Sequence, residues 1–350
     1  MNSDATSSEC LKSNMSDRPT IFEQEWWYEA STGGNWERVE FSEDGKFTAR
    51  MIVSNRRVDG LNIIGMPYLA RIMKPGITFH STEPKLAHSH IIRALSGLRE
   101  EMPKGDCFNY TLPPDSGLDS SFLLAGYSLS PNYTFQREAS CKLDPLSVMT
   151  EKFRANIRKG QKRIAVEPNE DIERYMRLYV SFCKSRSLKE VIDYEAVRRV
   201  WEACRARKQA VILTAVNGAG EDIASSMLLW DDHHLYNWLN CRSLIFYDYA
   251  AISVLFLNAI ELAIKMGLTF DSDGFSSLEQ GIYTSRLGLL PKLRMDVSIT
   301  NSKAELKTAF RDHTKALIGQ KPKRTLLKLQ SVLSDFRKPQ TPTPKNDSEE

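Results

Sequence analysis

The chain has 350 residues, 41% hydrophobic and 26% charged, with a net charge of +3 and a pI near 8.4. That length holds about two domains of ~150 residues, each able to bury a core, and the charge is too slight a bias to mark a nucleic-acid binder by itself. Met1 to Thr20 lacks the basic and apolar blocks of a signal peptide, and the longest apolar run is broken by Asn258, Glu261 and Lys265, so a cytoplasmic protein with no transmembrane segment is expected.

The six cysteines, at 10, 107, 141, 183, 204 and 241, form no C-x-x-C pair and read as reduced, structural thiols. The closest histidine spacings are His88-Ser89-His90 and His233-His234. Residues i and i+2 do not share a helix face, and neighbours on a strand point to opposite sides. No metal centre is expected.

In chain order, residues 1–20 read as a disordered tail and Phe22 to Ala30 as a helix with an aromatic face. Strands are expected over Trp36 to Phe41, Phe47 to Arg56 and Leu61 to Met66, separated by the turn signals Glu43-Asp44-Gly45-Lys46 and Asp59-Gly60. Leu86 to Glu101 is a helix by the spacing of Leu86, Ile91, Leu95 and Leu98; Cys107 to Leu112 and Tyr133 to Ser140 are strands. Pro145 to Glu167 joins the halves. Within it, a helix over Glu151 to Arg163 carries Lys152, Arg154, Arg158, Lys159, Lys162 and Arg163 around Phe153 and Ile157. It is either a solvated helix or the lining of a site for an anionic donor, coenzyme A phosphates or an RNA acceptor stem. Helices follow over Asp171 to Arg186 and Tyr194 to Lys208.

The clearest pattern runs from Gln209 to Gly288. Ala210 to Val216, Ile223 to Trp230 and His234 to Asn240 are three strands in a meander, turned by Asn217-Gly218-Ala219-Gly220 and Asp231-Asp232. A helix follows with Ile252, Leu255, Phe256, Ala259, Ile260, Ala263 and Ile264 on one stripe, Asp248 as its expected N-cap and Gly267 as its stop. It leads to a short strand, Leu268 to Asp271, and a polar loop, Ser272 to Ser277. Beyond Thr300, residues 303–337 read as a helical extension and 338–350 as a disordered tail.

This order resembles the core of the GNAT acyltransferase fold, and four segments sharpen the resemblance to two-domain FemAB-type and related GNAT N-acetyltransferases. Glu25-Trp26-Trp27-Tyr28-Glu29-Ala30 is similar to their tryptophan-pair start, and Asn156-Ile157-Arg158-Lys159 to the opening of their second domain. Phe270-Asp271-Ser272-Asp273-Gly274 is similar to their strand end, and Ile282-Tyr283-Thr284-Ser285-Arg286-Leu287-Gly288 to a following segment, with Thr284 where Fem-type transferases often carry lysine. The resemblance covers roughly residues 22 to 300. It implies an α/β (α+β) architecture of tandem GNAT-like units, 21–150 and 151–302, each a mixed, mostly antiparallel sheet flanked by helices.

It also implies N-acyl transfer: an amine attacks a thioester directly, so the protein aligns two substrates, polarises a carbonyl and removes a proton. Around residues 236–242 and 268–274 the implied fold splays two strands, whose backbone amides can stabilise the oxyanion. The candidate proton acceptors are Asp273, first because it precedes Gly274 at a strand end, then Asp271 and Glu279; each aspartate can equally cap a turn or helix. Tyr283, Tyr247 and Tyr249 are candidate donors to a carbonyl or leaving thiolate, or core residues. Donor contacts are expected from Asn240, Arg242, Tyr247, Asp248 and Tyr249, acceptor contacts from Trp27, Tyr236, Trp238 and Arg158.

The glycine-rich pyrophosphate loop of common acetyltransferases is missing: Cys241 to Tyr249 holds no glycine. The expected donor is acyl-CoA, acetyl-CoA foremost, as a co-substrate and not a permanently bound cofactor. The acceptor is an amine of a small molecule or of a cell-envelope or polysaccharide precursor. An aminoacyl-tRNA donor is the alternative, although the connection from Ile164 to Lys208 is short for a full helical arm. A non-catalytic module binding RNA or protein is a further one; DNA is not an expected partner.

Overall fold

The computed structural model describes residues 19–58, 60–80, 87–185, 193–246, 248–275 and 277–300. The tails, the helical extension expected over 303–337 and Tyr247 lie outside the described residues. The chain divides into compact units Met1–Ile299 and Thr300–Glu350, and the account below concerns the first.

Its centre is a 12-stranded sheet of mixed, mostly antiparallel strands with helices on its faces. β1 (Glu37–Glu43), β2 (Phe47–Val58) and β3 (Leu61–Gly65) form the expected meander, and β4 (Gly76–Phe79) pairs off the path with β2. Helix α1 (Glu25–Thr32) precedes them, and α2 (Ala87–Glu100) leads to β5 (Cys107–Leu112). After α3 (Asp119–Leu124), β6 (Ser128–Arg137) enters the middle of the sheet.

The second half begins with the basic helix α4 (Glu151–Gln161) and edge strand β7 (Ile164–Asn169). Helices α5 (Ile172–Ser185) and α6 (Tyr194–Ala206) carry the chain to β8 (Ala210–Asn217), β9 (Asp222–Trp230) and β10 (His234–Arg242). Then come α7 (Ala251–Met266), β11 (Thr269–Asp271), α8 (Leu278–Ser285) and β12 (Leu290–Thr300). The strand order is β1-β2-β3-β5-β12-β6-β11-β10-β9-β8-β7. The last strand therefore returns to the middle and pairs antiparallel with β6, which pairs on its other side with β11.

Two short parallel ladders interrupt the antiparallel pattern. One joins β3 to β5 from Ile63↔Cys107 to Gly65↔Asn109; the other joins β10 to β11 from His234↔Thr269 to Tyr236↔Asp271. Each lasts three residue pairs, after which the strands part.

Side chains alternate between two cores because a strand turns successive residues to opposite faces. On β10, Leu235 joins the core shared with α4 and α7, while Tyr236 and Trp238 join the core shared with α1, α5 and α6. Leu239 and Cys241 lie in that same second core, a change of phase that requires one extra residue. The register of β10 against β9 shifts between Tyr236 and Leu239, which is the signature of a β-bulge.

Helix α7 stops at Gly267, whose left-handed φ of 71° suits a residue without a Cβ. Its start differs from expectation. Ala250 is the N-cap, and Asp248 lies two residues earlier, accepting the Ala250 N–H at 2.8 Å in a local turn.

Candidate active site

The site lies where β10 and β11 part. β11 ends in Asp271, which is fully buried and accepts hydrogen bonds from Thr134 Oγ1 (2.5 Å), Gln136 Nε2 (2.8 Å), the Asp273 amide (2.7 Å) and Arg294 Nη2 (2.9 Å). Burial opposes its ionisation, but Arg294 and these donors outweigh it and hold the carboxyl below the usual carboxylate range. With all its lone pairs engaged, Asp271 anchors β6, β11 and β12 to one another.

Asp273 is different. Its backbone is left-handed, φ 64°, as is that of Gly274, φ 78°. Two hydrogen bonds hold this turn: the Asp273 N–H to Asp271, and the Gly274 N–H to Thr134 Oγ1 at 3.0 Å. The side chain is only 4% exposed; its Oδ2 is 2.8 Å from Arg71 Nε, and its Oδ1 is 3.9 Å from Arg294 Nη1 with no hydrogen-bond partner among the described residues. Burial pushes its pKa up to about 7, against the pull of Arg71 and Arg294 and with the help of Asp271. A buried carboxylate with one unpaired oxygen, titrating near neutrality, has the chemistry to take a proton from an amine brought against it.

Two contributors carried no sequence signal. Arg71, from the loop after β3, also donates through Nη2 to the Trp238 carbonyl on β10 at 3.0 Å, so it spans the gap between the parted strands. Asn237 sits in the bulge of β10, 1% exposed, with neither amide atom hydrogen-bonded among the described residues. Its position between two aromatic residues reads as ordinary strand alternation, and the bulge shows only in the pairing of β10 with β9.

The loop that delivers Arg71 also walls a cavity of about 450 Å³ at the β3/β5 opening, lined by Arg56, Tyr68, Asn109, Asn132 and Asp296 among others. Asp296 accepts from Thr111 Oγ1 at 2.7 Å and Asn132 Nδ2 at 3.3 Å.

The other expected site residues divide. Trp27, Tyr236 and Trp238 are core residues: the Trp27 and Trp238 rings meet edge-on at 5.6 Å, Trp238 Nε1 donates to Leu69 O, and Tyr236 Oη donates to Asp231. Tyr283 packs against Phe153 and Phe256 and shares a 2.7 Å hydrogen bond with Ser253; burial pushes its pKa up to about 12. Glu279 is exposed on the first turn of α8, held below the usual range by its own amide and Ser277. Asn240 accepts from Ser226 Oγ at 2.5 Å, Arg242 ends β10 half-buried, and Tyr249 is exposed. Arg158 faces a shallow basic depression on α4 with Arg154, Lys159 and Lys162.

The start of α7 is partly closed to a pyrophosphate. Ser243 Oγ accepts the Ile245 and Phe246 amides at 3.2 and 3.0 Å, and Asp248 accepts that of Ala250. Asp248 is itself held in a bidentate pair by Arg163 at 2.7 and 2.9 Å, which keeps its pKa low. The amides of Ile245, Phe246, Ala250 and Ala251 are occupied, and a carboxylate stands among them.

Residues 151–272 match the family described as "Acetyltransferase (GNAT) domain". Among solved structures, the crystal structure of FemX superposes with a TM-score of 0.55 at 12% identity, covering 79% of this chain and 91% of that one. The C-terminal domain of a putative lysylphosphatidylglycerol synthetase from Agrobacterium fabrum superposes with a TM-score of 0.52 at 12% identity, covering 84% and 93%. No curated protein matches the chain. The fold is therefore that of the GNAT superfamily. Residues 151–272 are the part matched to a GNAT domain, and acyl transfer is the general chemistry this supports. Among the described residues no group of His, Cys, Asp and Glu could hold a metal ion, and no helix is long and apolar enough to cross a membrane.

Proposed function

We propose that the protein is an N-acyltransferase in which Asp273 is the general base. The observation that carries this reading is the unpaired Oδ1 of a buried carboxylate, titrating near 7, at the point where β10 and β11 part. A planar acyl group enters the gap, and the acceptor amine attacks its carbonyl carbon. Asp273 takes the proton from the attacking nitrogen, the tetrahedral intermediate collapses, and the donor leaves as a thiolate that is then protonated. Asn237, with its unpaired amide in the bulge, is read as the group that meets the acyl carbonyl. Arg71 positions Asp273 and keeps part of its population ionised. The acceptor is read as entering from the β3/β5 cavity, where Asp296 gives an amine a carboxylate to rest against.

Acyl-CoA is the first reading of the donor, supported by the GNAT domain at 151–272; a small-molecule or cell-envelope precursor amine is the acceptor class. The occupied amides at 245, 246 and 250 favour a second reading, an aminoacyl ester such as aminoacyl-tRNA, which needs no pyrophosphate cradle there. We read the chain as two tandem units, 21–150 and 151–302, working in the cytoplasm. Calorimetric titration with coenzyme A, acetyl-CoA and longer acyl-CoA, followed by amine-dependent thiol release, separates the donors. Saturable binding with turnover supports the first reading. Absence of binding at millimolar ligand removes it, and transfer from charged tRNA then tests the second.

A further inference from the structure

At the start of α7 the surface is apolar where a loop is expected to be polar. Ile245 is 82% exposed, Leu244 52% and Tyr249 79%, all within the connection from β10 to α7. Such a cluster at a loop tip does not stabilise the fold, since its side chains remain in water.

Much of the loop's described backbone is engaged within the protein. Ser243 accepts the amides of Ile245 and Phe246, and its N–H donates to Ile223 O at 2.9 Å; Asp248 accepts the Ala250 amide, and its carbonyl accepts that of Ala251. Arg163 neutralises the Asp248 carboxylate. Exposed apolar side chains beside amides already bonded at 243, 245, 246, 250 and 251 lower the cost of entering a medium that offers few hydrogen bonds.

Helix α4 stands directly beside it. A Cβ on Gly160 would come within 2.6 Å of Ala250 Cβ, so the end of α4 abuts the end of the loop, and the Arg163–Asp248 pair fastens them. The neighbouring Arg158 and Lys159 are exposed, as is Lys162. Cations beside an apolar tip complement an anionic lipid surface: the cations meet headgroups while the tip enters the interface. A phosphate ligand alone would use the cations and leave Ile245 and Leu244 unexplained.

We propose that this face, formed by Leu244, Ile245 and Tyr249 with the C-terminal end of α4, docks the protein reversibly onto a bilayer containing anionic phospholipid. The inference does not depend on the acyl-transfer reading. The test is co-sedimentation of the full chain with vesicles of phosphatidylglycerol and phosphatidylcholine, against vesicles of phosphatidylcholine alone. Binding to the anionic vesicles, weakened by salt, is expected. Ile245→Asp and Leu244→Ser are each expected to weaken it by about tenfold, and Lys159→Glu with Lys162→Glu to remove the preference for anionic lipid; unchanged melting temperatures show that the variants fold. Three results would overturn the proposal. One is failure to bind either vesicle at low salt. Another is binding that Ile245→Asp leaves intact. The third is a wild-type dimer that Ile245→Asp dissociates, or a bound RNA that the double charge reversal releases, in the absence of vesicle binding.

Discussion

Arg71 reaches across the parting of β10 and β11, with Nη2 donating to the Trp238 carbonyl at 3.0 Å and Nε 2.8 Å from Asp273 Oδ2. One cation from the first half of the chain thus ties a bulged strand to the carboxylate beyond the strand it has just left. Its charge favours the ionised form of Asp273, while burial opposes it more strongly. Removing that charge, as in Arg71→Ala, is expected to move the acidic limb of the pH–rate profile to higher pH, with Arg71→Lys between the two. An unmoved limb would mean that Arg71 does not act on the group that titrates.

Asp273 and Asp271 are two residues apart but predict opposite phenotypes. Asp271→Ala would strip Arg294, only 4% exposed, of its hydrogen-bonded carboxylate and leave it only Asp273 at 3.9 Å, a change that costs about 3–5 kcal/mol. Urea denaturation is expected to show that loss. Asp273→Asn keeps the shape of a side chain whose Oδ1 makes no hydrogen bond, so folding is expected to survive.

The same substitution carries a pH signature in stability. The folded-state pKa of Asp273 is raised from 3.8 to about 7, so between those values the native state binds more protons than the unfolded one. Stability contributed by this group is therefore full at low pH and is lost as pH rises through that window. Asp273→Asn removes the dependence. Its stability relative to wild type is expected to increase from about pH 4 and level off above about pH 7, measured by thermal or urea unfolding across pH; a difference independent of pH would contradict the raised pKa.

Gly160 tests the seat of α4. Its added Cβ would meet Ala250 Cβ at 2.6 Å and Val254 Cγ2 at 3.0 Å. Although alanine is the better helix former, Gly160→Ala is expected to destabilise by about 1–3 kcal/mol through overpacking. A stabilised variant would show that α4 and α7 are less closely fitted than these distances require.

The meander β8–β10 and helix α7 were legible because turn chemistry and apolar spacing agree along them. β12 was not, since its 290–300 segment places Arg294 and Asp296 where an ordinary strand would show alternating apolar residues. Those charges have partners on β6, β11 and β5, and a single strand does not reveal them. β7 was hidden by Pro168 and Glu167, which suit the edge it occupies. β4, α3 and α8, of four, six and eight residues, are too short for a periodic signal to emerge. The aspartates of the site could be named from the strand end, but the difference between them could not: it rests on Thr134, Gln136 and Arg294 around one carboxylate and Arg71 beside the other. Likewise, the phase change that exposes Asn237 as an unpaired amide appears only when β10 is laid against β9.

The most direct test of the account is the pH dependence of amine-dependent acyl transfer, read as kcat/KM for wild type and Asp273→Asn with the donor that supports turnover. The wild-type rate is expected to rise with pH through a single limb near 7 and then level, as Asp273 becomes ionised. In Asp273→Asn, activity is expected to fall by about 10²–10⁴-fold, and the limb to disappear. A variant that retains both the wild-type rate and its limb would show that the proton goes elsewhere.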